Sequence, residues 1–440
     1  MKLSFRVATV VAAVVTLSGS PLSAQQARDT TARRQQRALD SLAAAVRATQ
    51  ASLDSLQRAL AAAPAATPRT SGAYMNVSFV GLTALGWAST PDVRALQVGD
   101  HDAKVRGFSI PNAELALDGT IDPYFKGFAY IVYKLDENGQ TGVELEEMFL
   151  LSSSLPGNLQ LKLGQFFSEF GRQNPQHPHS WAFADQPLVL NRMFGGEGLR
   201  SQGARLSWLL PTPFYTEAMV GVMNGAGGTA FSFRSEESSE IHGGAALERA
   251  VRGAGDLLYV PRIATSLDVT DNQTLLVGAS GAFGPNNSGP DARTGIYGTD
   301  VYWKWKSATA HQGFPFVAVQ AEYLSRRYDA SARVPLDDAT PTLASETLKD
   351  DGAYAQLTWG IKPRVVLGLR GEFVNADAGA YVSPERGDRS RWSPNVTWYP
   401  SEFSKIRLQY NYDNRTGIGR DHSVWMQFEF LLGAHAAHKF

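Results

Sequence analysis

The chain of 440 residues contains no cysteine. Its absence excludes a disulfide framework, a cysteine-ligated metal, a thiol nucleophile and a lipid-anchored N-terminal cysteine. Charge is also scarce, since 19% of residues are charged and the formal net charge is −1. This balance argues against a nucleic-acid-binding protein. Long hydrophobic runs are missing too: the longest, Val7 to Leu17, has 11 residues, and a transmembrane helix needs about 20.

Residues 1–24 are typical of a secretion signal. Lys2 and Arg6 give a positive start, the apolar run follows, and small residues lead to Ala24. We therefore expect an exported protein whose mature chain begins near Gln25.

Residues 25–63 differ in composition from everything after them and predict a periplasmic α-helical coiled-coil segment. Seven residues follow one another in steps of three and four, without Gly or Pro between them, as in a heptad seam. They are Leu39, Leu42, Val46, Thr49, Leu53, Leu56 and Leu60. The alternative is a single amphipathic helix. Residues 64–72, "PAATPRTSG", predict a linker.

From residue 73 to residue 440 the hydrophobic period changes to two, which predicts β-strands. In "TDVYWKWK", residues 299–306, apolar and polar side chains alternate. The segment "HSVWMQFEF" does the same, with Phe428 on one face and Gln427 and Glu429 on the other. A soluble sandwich also alternates, so further features are needed to decide the fold class.

Two features favour a membrane barrel over a sandwich. Apolar faces end in aromatic residues such as Trp359 and Trp398, as they do where barrel strands meet the membrane interfaces. Connections alternate between short ones, "GIKP" and "YPSEF", and long polar ones, "NADAGAYVSPERGDRSR" and "DNRTGIGRDH". We predict an all-β transmembrane β-barrel of about 16 antiparallel strands, located in a bacterial outer membrane with its N-terminal segment in the periplasm.

The segment from Gly164 to Pro211 interrupts this alternation. Its first thirty or so residues contain Pro175, Pro178 and Pro187 and are too long for an ordinary connection. In a barrel they predict a loop, near 166–200, that folds into the lumen and narrows the pore.

This segment also carries a resemblance to a known family. A strand ending in Gly-Gln-Phe, the nearby Phe170, a polar loop and the return "GGEGLRSQGARLSW" resemble the phosphate-selective porin O/P family. The resemblance implies a 16-stranded barrel, often a homotrimer, in some members with an N-terminal coiled segment. Glu169 stands where the family usually has Pro.

The block "FGRQNPQHPHSWAFADQPLV" is similar to a subgroup described as zinc-regulated or TonB-dependent receptors. A TonB-dependent receptor needs a plug domain and 22 strands, which 440 residues cannot hold.

The resemblance implies selectivity through inward-facing basic residues, because a desolvated anion needs charge-assisted donors. The candidates for the pore constriction include acidic residues that nearly balance the basic ones. They are Lys162, Glu169, Arg172, Asp185, Arg192, Glu197, Arg200 and Arg205. We expect a weak anion preference at most. The alternative is a mixed salt-bridge network that fixes the loop.

No cofactor, metal or catalytic group is predicted. His177 and His179 form a weak metal-binding candidate, for which a third ligand is needed and Asp185 is a guess. Asp421, His422 and Ser423 supply residue types used in catalysis, but neighbours in sequence rarely converge, and no G-x-S-x-G or H-E-x-x-H motif occurs. The sequence therefore predicts a protein that is not an enzyme.

The predicted function is a porin-like channel for passive diffusion of small hydrophilic solutes or ions. One alternative is a structural tether that uses the coiled coil; another is a receptor or metal-uptake barrel. Expected partners are outer-membrane lipid, small solutes or anions, two further copies in a homotrimer, and the barrel assembly machinery. The terminal Phe440 resembles the C-terminal signal which that machinery recognises.

Overall fold

The computed structural model describes residues 75–433, except 136–138, 154, 337–341, 378, 380 and 382–385. The predicted signal peptide, coiled-coil segment and linker, and Phe440, lie outside the described residues. Within the described part of the chain, no helix is long and apolar enough to span a membrane.

The described residues form sixteen strands with two short helices in their connections. The strands are β1 (Met75–Ala88), β2 (Gly107–Thr120), β3 (Phe125–Leu135), β4 (Thr141–Ser152), β5 (Leu159–Phe167), β6 (Arg200–Leu209), β7 (Tyr215–Met223), β8 (Leu258–Thr270), β9 (Gln273–Pro285), β10 (Arg293–His311), β11 (Phe314–Ala330), β12 (Glu346–Lys362), β13 (Val365–Ala376), β14 (Arg389–Ser401), β15 (Ser404–Arg415) and β16 (Gly419–Gly433). The helices are α1 (Leu188–Phe194) and α2 (Ser239–His242). Single 3₁₀ turns lie at 156–158, 178–180, 228–230, 236–238 and 254–256.

Each strand pairs antiparallel with the next, and β1 pairs with β16 to close the barrel. At the closing pair Leu82 faces Glu429 and Val80 faces Leu431. The predicted barrel of about 16 strands is therefore confirmed. Closure satisfies the backbone hydrogen bonds of every strand on both edges, which a chain crossing a bilayer requires.

Apolar side chains cover the outer face and polar ones the inner face. On β15, Leu408 is 48% exposed, whereas Arg407 and Gln409 beside it are buried inside the barrel. On β16 the predicted inward residues Gln427 and Glu429 are buried and Phe428 is exposed. This alternation gives the barrel an apolar outside and a polar interior.

The two ends of the barrel differ in the length of their connections. At one end, here the short-turn end, connections are as brief as residues 271–272 and 312–313. At the other, the long-loop end, they include 89–106, 168–199 and 224–257. The prediction of a long loop in "DNRTGIGRDH" is wrong, since only residues 416–418 join β15 to β16. The strands continue because Gly417 and Gly419 adopt positive φ and permit a tight turn.

Exposed aromatic residues lie near both ends of the strands. Near the long-loop end are Trp87, Phe108, Tyr297, Phe373 and Trp392. Near the short-turn end are Trp208, Tyr215, Trp359 and Trp398. Two such girdles flanking an apolar belt are typical of strands that cross a bilayer.

Candidate functional site: a loop inside the barrel

The connection between β5 and β6, residues 168–199, folds into the barrel and is here called the lumenal loop. The sequence predicted such a loop near 166–200. Its ends are close together because Phe167 pairs with Arg200 across β5 and β6. The loop contains α1, whose residues Leu188 to Phe194 are almost all buried.

An apolar cluster joins the lumenal loop to the barrel wall. Helix α1 packs against β11, β12 and β13. Phe170 meets Phe194 edge-on at 5.0 Å between ring centroids, and it lies against Gly298 of β10, where a Cβ atom would approach the Phe170 ring to 2.5 Å. Removing this apolar area from water holds the loop against the far wall.

Buried carboxylates of the wall accept hydrogen bonds from the backbone of the loop. Glu322 of β11 accepts from the N–H groups of Arg172 and Gln173, at 3.1 and 2.7 Å. Glu372 of β13 accepts from the N–H of Leu188 at 2.6 Å. Loop N–H groups that are buried away from water thus find carboxylate acceptors.

Basic side chains of the wall hold the next part of the loop. Arg407 of β15 donates to the carbonyl oxygens of Phe183 and Trp181, at 2.8 and 2.7 Å. Arg370 of β13 pairs with Asp185, a buried carboxylate that also accepts from Gln409. These contacts place positive charge on the wall and backbone or carboxylate oxygen on the loop.

The predicted constriction residues all lie at or beside this loop, and the four arginines are engaged with protein groups. Arg172 donates to Gln320 at 3.2 Å and lies over the Tyr302 ring. Arg192 donates to the carbonyl oxygen of Gly387 at 2.8 Å and lies 3.4 Å from Asp350.

The other two arginines and the predicted lysine lie where β5 and β6 meet the loop. Arg200 pairs with Glu144, and Arg205 lies 3.3 Å from Glu169. Lys162 lies 3.3 Å from the same Glu169 carboxylate. The eight predicted residues are therefore not one ring around a pore but parts of several ion-pair groups.

A cluster of five histidine and glutamate residues lies between the loop and the wall, here called the histidine–glutamate cluster: His101, Glu114, Glu146, His177 and Glu197. His177 Nδ1 lies 3.0 Å from oxygens of both Glu114 and Glu146. His101 Nε2 lies 3.2 Å from Glu146 and 3.6 Å from Glu197.

Two residues that the sequence suggested as ligands are placed differently. His179 Nδ1 is 3.8 Å from Glu114, at the edge of the cluster. Asp185, the guessed third ligand, is instead bonded to Arg370, Gln409 and Asn411. The carboxylates that approach His177 come from the wall.

The carboxylates of the cluster shift the proton affinity of both imidazoles. Burial alone would lower the pKa of His101, but Glu146 and Glu197 outweigh it and raise that pKa to about 10. Burial likewise opposes protonation of His177, and Glu114 and Glu146 raise its pKa well above the usual range. In the absence of another cation, protonated imidazoles neutralise these carboxylates.

A β-bulge explains how β4 contributes so many acidic groups. Tyr130 of β3 pairs with Glu147 of β4, but the next residue of β3, Ile131, pairs with Leu145. The register between the two strands therefore shifts by one residue at this point. Glu146 is the extra residue, so both Glu146 and Glu147 point into the barrel. The sequence signal was "LEEM", where two glutamates interrupt the alternation between outward Leu145 and Met148.

The residues Asp421, His422 and Ser423 do not form a catalytic site. They lie on β16, where successive side chains point to opposite faces. His422 is exposed and contacts the Tyr410 hydroxyl at 2.6 Å, whereas Ser423 is fully buried.

Comparison with solved structures gives the class of fold. The outer membrane channel DcaP of Acinetobacter baumannii superposes with a TM-score of 0.53 at 14% identity, over 82% of this chain and 98% of that one. The anion-selective porin of Comamonas acidovorans gives 0.50 at 9% identity, over 82% and 100%. The OmpT loop-deletion mutant of Vibrio cholerae gives 0.50 at 9% identity, over 82% and 99%. The fold is a porin-like β-barrel.

The sequence itself has a nearer relative. An uncharacterized protein of Aquifex aeolicus is 34% identical over an alignment 355 residues long, which covers 76% of this chain and 70% of that protein. The chain belongs to the same family as this protein. No model of a described protein family matches the chain.

Proposed function

We propose that the protein is a bacterial outer-membrane channel of the porin type, in which the lumenal loop sets the width of the path for small hydrophilic solutes or ions. The observation that carries this proposal is the loop inside a closed barrel with an apolar outside and a charged interior. The porin-like fold of the solved channels supports the outer-membrane location and favours transport over catalysis.

For the transported solute we propose a weak anion preference at most. Arg370 and Arg407 of the wall, like Arg172 and Arg192 of the loop, are bonded to protein groups. An arginine whose donors are already used has fewer left for a passing anion. The resemblance to the phosphate-selective porin O/P family is thus a proposal about ancestry and barrel type, and phosphate is not the proposed solute.

Channel recordings in planar lipid bilayers test the proposal. We expect conductance steps from the purified protein and a reversal potential close to that of a weakly selective pore. Complete absence of conductance, both in the intact chain and after removal of the lumenal loop, would refute a channel.

The loop-removed variant can be designed without changing the strand register. Since Phe167 and Arg200 pair with each other, residues 168–199 can be replaced by Asn-Gly, which favours a two-residue hairpin turn. We expect a conductance several-fold larger than that of the intact chain. Arg327→Ala, which removes a 65% exposed side chain of β11, is the control and should leave conductance unchanged.

The remaining features of the proposed protein follow from the sequence and stay predictions. They are export by the signal at 1–24, a periplasmic coiled coil at 25–63 joined by the 64–72 linker, a homotrimer, and assembly through Phe440. A trimer is tested by the mass of the detergent-solubilised complex. A monomer at all protein concentrations would contradict it.

A further inference from the structure

We infer that the histidine–glutamate cluster is a binding site for two divalent cations of the zinc class, with Glu146 as the carboxylate that bridges them. The first ligand set is His177, Glu114 and Glu146; the second is His101, Glu146 and Glu197. In each set the ligand atoms lie within 4.8 Å of one another. The inference concerns binding, and does not depend on whether the barrel conducts.

The distances between ligand atoms suit a tetrahedral ion. Bonds of about 2.0–2.1 Å to nitrogen and oxygen place tetrahedral ligands about 3.3 Å apart. In the first set, His177 Nδ1 lies 3.0 Å from each of the two glutamate oxygens. In the second, His101 Nε2 lies 3.2 and 3.6 Å from its carboxylate oxygens.

The two oxygens of Glu146 face different histidines. Oε1 is the atom near His101 Nε2, and Oε2 is the atom near His177 Nδ1. One carboxylate therefore contributes one oxygen to each ligand set, which is the arrangement of a bridging ligand.

The orientations of the ligand atoms, as well as the distances between them, favour a cation site. Among the described residues, neither oxygen of Glu146 makes a hydrogen bond, although the residue is 1% exposed. His101 Nε2 also lacks a hydrogen-bond partner there, whereas His177 Nδ1 in the first set is hydrogen-bonded to Glu114 Oε2 at 3.0 Å. Buried polar atoms normally find such partners. Atoms that are close without being aligned for a hydrogen bond are expected when each is directed at a shared third position.

The surroundings of His177 are those of a metal-binding imidazole. While Nδ1 faces the two ligand glutamates, Nε2 contacts Glu147 at 2.8 Å. A carboxylate on the second ring nitrogen fixes the ring and strengthens its binding to a metal. The rings of Tyr130 and Phe167 lie 4.5 and 5.7 Å from the His177 ring, measured between centroids. These two rings shield the site from solvent.

The site would join two of the long loops to the wall. His101 comes from residues 89–106, His177 and Glu197 from the lumenal loop, and Glu114 and Glu146 from β2 and β4. Mixed imidazole and carboxylate ligands suit Zn²⁺ better than Ca²⁺ or Mg²⁺, which prefer oxygen alone. Each imidazole would bind its cation in the neutral form, because metal ligands must be deprotonated.

Zinc titration of the full, detergent-solubilised chain tests the inference after treatment with a chelator. Calorimetry and metal analysis should give two Zn²⁺ per chain. His177→Ala and His101→Ala should each retain one, and Glu146→Gln should weaken both by at least tenfold. Co²⁺ in place of Zn²⁺ should give the visible absorption of a tetrahedral ion, which His177→Ala should reduce by about half.

Controls separate this site from adventitious binding and from misfolding. His311→Ala and Glu402→Gln alter exposed residues and should leave both Zn²⁺ in place. Glu147→Gln keeps every ligand and should weaken one site by about 10- to 100-fold. Binding of one ion or none, or binding that is unchanged in Glu146→Gln, would overturn the inference.

Discussion

Asp185 of the lumenal loop lies among four charged and amide side chains of the barrel wall. Arg370 and Arg391 lie beside it, and Gln409 and Asn411 donate to it at 2.9 and 2.7 Å. These partners stabilise the ionised form and hold the pKa of Asp185 well below its usual range, although burial alone would raise it.

Removing this carboxylate should release the loop. Asp185→Ala removes one of the two carboxylates that face the buried Arg370 and Arg391 and leaves them only Glu372. Removing one partner of a buried ion pair costs up to about 3–5 kcal/mol. We expect faster hydrogen exchange of residues 182–190, measured by mass spectrometry. Asp268→Ala, at an exposed position on β8, is the control; equal exchange in the two variants would show that Asp185 does not hold the loop.

Gly298 forms the surface on which Phe170 rests. A Cβ atom there would lie 2.5 Å from the Phe170 ring, so Gly298→Val should force the ring away and destabilise the protein by about 1–3 kcal/mol. The loss of stability is measured as a lower midpoint of chemical denaturation in detergent.

The matched control for Gly298 is another glycine of the same strand. At Gly295 the nearest atom to a built Cβ, on Phe283, is at 3.5 Å, which is ordinary contact. Gly295→Val should therefore leave the midpoint nearly unchanged. If both variants lowered the denaturation midpoint by a similar amount, the effect would come from a valine in the strand and not from the contact with Phe170.

His242 should make the 224–257 loop sensitive to acid. Burial and the nearby Arg333 lower the pKa of His242 from 6.5 to about 4. Its Nδ1 accepts the N–H of Gly244 at 3.1 Å, and its ring stacks on Tyr328. Below pH 6.5 the unfolded loop binds a proton that the folded loop rejects, so stability is lost as the pH falls toward 4.

Hydrogen exchange of residues 238–244, corrected for the intrinsic rate, should rise between pH 6.5 and 4. His242→Asn keeps an acceptor for Gly244 but does not titrate, and should show no such rise. A pH response that persists in this variant would assign the effect to another group.

At the scale of elements, strands were predictable and loop contacts were not. The alternation of "SKIRLQYNY" and "WMQFEFLL" follows from the two faces of a strand, one toward lipid and one toward water. The period of two begins at residue 73 of the sequence, and the described strands run from Met75 to Gly433. The lumenal loop was found because its prolines interrupt this period.

The partners inside the barrel could not be read from the sequence. Arg370 pairs with Asp185 and Arg407 with the carbonyl of Phe183, residues about 200 positions away. Periodicity places Arg370 and Arg407 on the inner face, but it does not say which loop will meet them. The bulge at Glu146 illustrates the same limit, because one extra residue changes which side chains face inward.

For the whole molecule, the apolar belt predicts where charge is tolerated. Leu408 lies near the middle of β15 and is 48% exposed. Leu408→Arg should cost about 2–4 kcal/mol if this face contacts the bilayer midplane. The measurement is the unfolding free energy in lipid vesicles.

The control is a residue outside the belt with even greater exposure. Leu336 is 64% exposed in the connection between β11 and β12. Leu336→Arg should change the unfolding free energy by no more than about 0.5 kcal/mol. Equal costs for the two substitutions would contradict a lipid-facing belt.

The pairing of β1 with β16 has a consequence for folding kinetics. Every other neighbouring pair joins strands that follow one another along the chain, and these can form as hairpins, whereas Leu82 must meet Glu429. Pairings between such distant residues are slow to form. We therefore expect a late intermediate in which fifteen pairings exist and two strands still have free edges. Such edges pair readily with other chains, so the rate of this last step sets how long the protein is at risk of aggregation.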